Sequence, residues 1–249
     1  MINYLNNDGI ARITLNRPEK RNALSPELIA GLSAALADSA RDASVRVVIL
    51  SGAGQDFCSG ADLAAFDRAA EAGVIDHMET ARGLAGVLLQ MRHHPRPIVA
   101  AVRGRALAGG CGLATACDLI VAAESAKFGY PEVNIGFVPA MVMAILRRNM
   151  TEKRAFELIV TCEIIDAHAA HAAGLINRVF PDAEFDARVN QYAASLAAKS
   201  ASAISLSKNL LYHMDSMNLE AAIEAGVHGN ALARMTEDAR RGIEKFIKK

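Results

Sequence analysis

The order of local patterns along the chain constrains its fold more than any single motif. Short runs with strand character alternate with longer helical runs, and then the strand signal stops. Ile10–Leu15 alternates apolar and polar residues, while Val45–Leu50 is a nearly continuous β-branched run, as a strand covered on both faces requires. Pro97–Val102, Leu119–Ala122 and Leu175–Phe180 repeat the theme. Between them the pattern predicts helices over about Ser25–Arg41, Ile75–Arg92, Thr151–Val160 and Ala167–Ala173. Ser25-Pro26-Glu27 supplies an N-cap with proline at the first helical position. Asn6-Asn7-Asp8-Gly9 is a turn signal between Ile2–Leu5 and Ile10–Leu15, so folded structure is expected at once, without a signal peptide. This alternation makes residues 1–190 an α/β core.

From Ala183 the strand signal is gone, and residues 191–249 read as a helical region, with Leu206, Leu210, Leu211 and Met214 at helical spacing. The last helix carries Ile243, Phe246 and Ile247 beside Arg240, Arg241, Lys245, Lys248 and Lys249. Such a tail packs either on a neighbouring subunit or on its own core. Composition bears on the choice: 27 basic and 27 acidic residues cancel, and 52% of the chain is hydrophobic. A neutral, apolar chain points to surface buried between subunits, and the lack of a basic excess argues against nucleic acid as a partner. The longest weakly polar run, Ala106–Cys117, is too short to span a membrane. Four cysteines without a CxxC pair suit a reducing compartment, so a cytoplasmic location is expected.

Four stretches could carry chemistry. Ser51–Phe57 starts like a dinucleotide-binding turn, but Phe57 replaces its third glycine and a plain turn fits better. In Phe57–Leu63, neither Ser59 nor Cys58 has a supporting motif for a nucleophile; small residues instead let an amide near Gly60–Ala61 face a pocket. Gly104–Ala114 follows a strand and opens a helix, so the amides at Gly109–Gly110 form either an oxyanion site or close helix–strand packing. In Phe128–Pro139 one carboxylate, Glu132, sits among apolar neighbours that would raise its pKa toward the acid–base range. His168 and His171 lack a third metal ligand, and they and His93-His94 read as solvated; no metal site is expected.

Together, and in this order, these stretches resemble the enoyl-CoA hydratase/isomerase (crotonase) family. The likeness runs from Ile13–Leu24 and Phe57–Leu63 through Gly104–Pro131 to Asp166–Pro181. It implies a crotonase-like spiral of ββα turns, with a C-terminal α-helical region that builds trimers, often paired into hexamers. It also implies an acyl-CoA thioester substrate of the kind handled in fatty acid metabolism, with coenzyme A as part of the substrate and no further cofactor. The resemblance places the two backbone N–H groups that grip the thioester oxygen at Ala61 and Gly109. It assigns substrate contacts to Arg21, Ala23, Asp62, Leu63, Gly110 and Gly112, with Phe246 and Lys249 reaching in from a neighbouring subunit. Lys20 and Arg21 would add positive charge near the phosphates.

One position departs from the family pattern. Hydratases of the family use two glutamates; Glu132 matches the second, and Gly112 stands at the first. Glycine can neither hold water by a side chain nor accept a proton, although some hydratase branches resemble this chain in having it. The expectation is an enoyl-CoA hydratase with Glu132 as acid–base, and Asn134 or Tyr130 orienting water. The alternatives are an isomerase using Glu132 alone and a non-catalytic CoA-ester-binding protein. Phe66, Met78 and Met141–Met143 are expected in the acyl pocket wall.

Overall fold

The computed structural model describes residues 1–63 and 72–248. Strands β1 (Ile2–Asn7) and β2 (Ile10–Leu15) form the predicted hairpin. Its turn residues Asp8 and Gly9 both have positive φ, 51° and 76°, the region that Asp-Gly pairs enter at low cost. β3 (Val47–Gly52), β4 (Ile98–Val102), β6 (Leu119–Ala123) and β9 (Arg178–Phe180) extend the sheet in parallel, in the order β1-β2-β3-β4-β6-β9. A second sheet contains β5 (Arg105–Leu107), β7 (Lys127–Gly129) and β8 (Ile165–Asp166). These three strands are too short to show periodicity, and the sequence did not announce them. The predicted strand over Leu175–Phe180 pairs only at Arg178–Phe180, while Leu175 and Ile176 enter the core from a loop.

Both faces of the large sheet are covered. Val48, Leu50, Ala100 and Val102 join the core beneath α1 (Pro26–Arg41) and α2 (Val74–His93), through Leu28, Leu32, Leu36, Val87 and Met91. Ser25 caps α1 by accepting the Leu28 N–H. The other face carries Val47, Ile49, Val99 and Val121 beneath Phe185, Val189 and Ala193. Each large apolar side chain sealed in this way contributes about 1.5–3 kcal/mol, and double coverage is why β3 lacks polar alternation.

The helix over this second face runs Phe185–Ala197, so the boundary expected at residue 190 falls inside it and core packing continues to Ala193. With α3 (Gly109–Ala116), α4 (Ala140–Asn149), α5 (Glu152–Val160) and α6 (Ala167–Ala172) before it, this helix is α7. The helices that leave the core are α8 (Ala201–His213), α9 (Leu219–Met235) and α10 (Glu237–Ile247). A buried ionic cluster ties α8 back: Lys208 Nζ donates to Asp118 Oδ2 at 2.8 Å and to the Met91 carbonyl at 2.9 Å, and Tyr212 donates to Asp118 Oδ1 at 2.6 Å. His94, expected to be solvated, is buried beside this cluster. Its Nδ1 lies 3.1 Å from both the backbone nitrogen and the carbonyl oxygen of Arg96, its Nε2 lies 3.0 Å from Ser39 Oγ, and burial lowers its pKa. Among the described residues, no helix is long and apolar enough to cross a membrane.

Candidate active site

The loop between β2 and α1 is built around one asparagine. Asn22 is fully buried at φ 54°, a region asparagine tolerates better than most residues. Its amide donates to the Ala53 and Asp56 carbonyls at 2.9 and 2.8 Å, its Oδ1 accepts the Arg17 N–H, and its carbonyl accepts the Cys58 thiol. Arg17 also pairs with Asp62 at 2.7 Å. These bonds fasten the Arg17–Leu24 loop to the segment carrying Gly60 and Ala61.

That segment makes an isolated parallel bridge to Leu24. The Leu24 N–H donates to the Gly60 carbonyl at 2.8 Å, and the Asp62 N–H donates to the Leu24 carbonyl at 3.3 Å. These two bonds flank Ala61, so its own N–H points away from Leu24. Gly60 adopts φ 96°, and a methyl group there would lie 2.6 Å from Ala108 Cβ and 3.3 Å from the Gly109 nitrogen. The Gly60–Ala61 backbone therefore touches the start of α3. Ala108 holds φ 51° and ψ −131°, a conformation costly for an L-residue, and Gly109 begins the helix with an N–H that has no acceptor within it. The structure thus brings Ala61 and Gly109 together. Gly110 plays the packing role weighed for this stretch: a methyl group there would lie 2.3 Å from the Cys58 carbonyl oxygen.

Glu132 sits in the 3-10 turn Pro131–Ile135, which follows β7 directly. The β7 end is bound to the junction, because the Ala108 N–H donates to the Gly129 carbonyl at 2.9 Å. The Glu132 side chain is buried, Oε2 has no hydrogen-bond partner among the described residues, and burial raises its pKa above the ordinary glutamate value. Tyr130 is fully buried. Thr115 gives its single hydroxyl proton to the Cys111 carbonyl at 2.7 Å, so the Tyr130 hydroxyl is the donor in its 3.0 Å bond to Thr115. Asn134 is exposed, as are Val133, Ile135, Phe137 and Val138 around it.

The glycine at position 112 faces no open space. A methyl group there would lie 2.0 Å from Val142 Cγ1 and 2.6 Å from Val142 Cβ on α4. Gly112 therefore packs against α4 on the side where a side chain would stand. Met141 and Met143 flank Val142 and pack against the core, while Met78 on α2 is exposed. The nucleophile alternative finds no support in the structure: Cys58 is fully buried and its thiol is pushed up to about 12. His168 pairs with Glu124 at 3.2 Å.

Of the remaining expected contacts, Arg21, Ala23, Asp62 and Leu63 lie on the two segments joined at the Leu24–Ala61 bridge. Arg21 is exposed at φ 50° and its carbonyl accepts the Ser59 N–H; Ala23 is buried, its N–H bonded to the Lys20 carbonyl. The Asp62 carboxylate holds Arg17, and Leu63 is exposed. Phe246 projects from α10 at 84% exposure. Phe66 and Lys249 lie outside the described residues. Arg17, Asn22, Thr115 and Val142 escaped individual notice in the sequence, where each looks like an ordinary loop or helix residue.

The fold recurs in known proteins. A provisionally named enoyl-CoA hydratase of Thermus thermophilus is 40% identical over 240 residues, covering 96% of this chain and 95% of that one. Enoyl-CoA hydratase domain-containing protein 3 of Homo sapiens is 34% identical over 246 residues, covering 97% and 79%. The crystal structure of an enoyl-CoA hydratase from Mycobacterium smegmatis superposes with a TM-score of 0.94 at 32% identity, covering 99% and 96%. A family model described as enoyl-CoA hydratase/isomerase matches residues 6–249, so the ββα core and the C-terminal helices belong to one crotonase fold. On fold, motif order and extent of match alike, the chain belongs to the enoyl-CoA hydratase/isomerase family.

Proposed function

We propose that this protein is an enoyl-CoA hydratase in which one carboxylate performs both proton transfers. The observation that carries the reading is Glu132, buried, with an oxygen that has no partner among the described residues, on a turn fastened to the backbone junction at Gly60 and Ala108. The Ala61 and Gly109 N–H groups receive the thioester oxygen, and their attraction grows as that oxygen gains enolate charge. Glu132 takes a proton from water while the hydroxyl adds to C3, then returns that proton to C2. Water is consumed, the carboxylate is regenerated and no electrons are exchanged, so the reaction calls for no redox cofactor.

Isomerisation is the second reading, and the space filled by Val142 beside Gly112 favours it. Glu132 would then remove a proton from C2 of a 3-enoyl ester and deliver it to C4. The helical region serves association into a homotrimer or hexamer, supported by the exposed Leu219, Ile223, Val227, Met235 and Phe246 on α9 and α10. Phe246 and Lys249 would meet a neighbour's CoA. The free cysteines suit a cytoplasmic setting.

The test offers 2-enoyl-CoA and 3-enoyl-CoA esters of several chain lengths to wild type and Glu132→Gln. Hydration by wild type, lost in the variant, supports the proposal. Migration of the 3-enoyl double bond without hydration selects the isomerase. Binding of CoA esters with no turnover identifies a non-catalytic protein.

A further inference from the structure

We infer that Val142 is the specificity-determining residue that limits this site to a single carboxylate. The inference deepens the proposed function and rests on Glu132 being the acid–base group. A glycine on its own would leave a gap that water or a neighbouring side chain could enter. Here the space belongs to α4: any Cβ on residue 112 would lie 2.0 Å from Val142 Cγ1 and 2.6 Å from Val142 Cβ. The second distance decides the matter. A change of rotamer moves Cγ1, but Cβ is fixed by the backbone of α4, so no side chain enters at 112 unless residue 142 loses its Cβ or the helix shifts.

The location ties this pair to the chemistry. Gly112 follows Cys111 on the helix that starts with Gly109, and Thr115 of the same helix is hydrogen-bonded at 3.0 Å to Tyr130, two residues before Glu132. α4 begins at Ala140, directly after the loop carrying Glu132, with Val142 in its first turn and 3% exposed. Val142 therefore presses an apolar wall onto the turn of α3 beside the candidate acid–base, where a second proton-carrying side chain would otherwise stand. Position 112 is glycine because position 142 is valine, and the choice between one and two carboxylates is made by the two residues jointly.

The pair is tested by exchanging volume across it. Gly112→Ala is made in wild type and in a Val142→Gly background, and thermal midpoints are measured. Gly112→Ala is expected to lower the midpoint of the wild-type protein and to raise it in the Val142→Gly background, where the methyl group enters vacated space. The same shift in both backgrounds overturns the inference. Activity then tests the specificity role. Gly112→Glu in the Val142→Gly background should raise 2-enoyl-CoA hydration at least about tenfold over Val142→Gly alone, the lower range for one positioned acid–base group being larger still. The ratio of hydration to 3-enoyl isomerisation should rise with it. A well-folded double variant with an unchanged ratio overturns the role of Val142 while leaving the proposed function standing. If Glu132→Gln retains full turnover, the proposed function fails instead, and the midpoints still decide whether the two residues form a packing pair.

Discussion

The two halves of the candidate site are built in opposite ways. The junction of Gly60–Ala61 with Ala108–Gly109 is close-packed, framed by main-chain bonds of the flanking residues and leaving no room for a methyl group at Gly60. The turn at Glu132 offers one buried carboxylate within a loop whose Val133, Ile135, Phe137 and Val138 side chains are exposed. An oxyanion needs donors that do not move as charge develops, whereas acyl chains of varied shape need apolar walls that can differ. Under the proposed function, the close-packed junction would meet the developing charge and the exposed apolar loop would face the acyl chain.

The sharpest way to break this contrast is to remove the acid–base from the second half without touching the first. Glu132→Gln should cut kcat by about 10²–10⁴-fold while leaving CoA-ester binding within a few fold, as steady-state kinetics and calorimetry would show. Similar kcat in both proteins would place the proton transfers elsewhere. Gly60→Ala strikes the first half. It forces alanine into φ 96° against Ala108, and a displaced donor costs about 3–4 kcal/mol, or roughly 10²–10³ in kcat. An active Gly60→Ala enzyme would show that the junction tolerates movement.

Truncations in the exposed loop should do much less. Phe137→Ala is expected to raise KM about 3–10-fold for long acyl esters, with kcat almost unchanged, from the loss of a few buried methylene equivalents. A large fall in kcat would merge the two halves into one rigid unit. The smallest effect concerns pH. Burial raises the Glu132 pKa, so the folded protein binds this proton more tightly than the unfolded chain. The stability derived from that difference is fully present below the ordinary glutamate pKa and is lost as pH rises through the raised folded value. Glu132→Gln should therefore be the more stable protein at neutral pH, and its advantage should shrink in acid. The acid limb of the wild-type rate profile should also lie above the ordinary glutamate range, since the base must be ionised.

Much of this was legible in the residues. The Asp8-Gly9 hairpin, the Ser25 cap and the doubly covered β3 each follow from local chemistry: a turn that needs positive φ, a helix N–H that needs an acceptor, and an apolar run with no polar face. The candidate residue Glu132 was marked as an acid in apolar company, and the small residues after strands marked the stretches in which the family resemblance placed Ala61 and Gly109. The short β5, β7 and β8 escaped, because two or three residues cannot display a period, and His94 looked solvated because Ser39, distant in sequence, meets it only in the fold.

By itself the sequence determined the family, the order of the elements and the one carboxylate, since these depend on residue type and local spacing. Only the tertiary structure decided what the glycines are for. Gly60 yields to Ala108, Gly110 to the Cys58 carbonyl and Gly112 to Val142, all partners distant in sequence or on another element. A missing side chain is written in the sequence; the atom that occupies its place is set by packing across the chain.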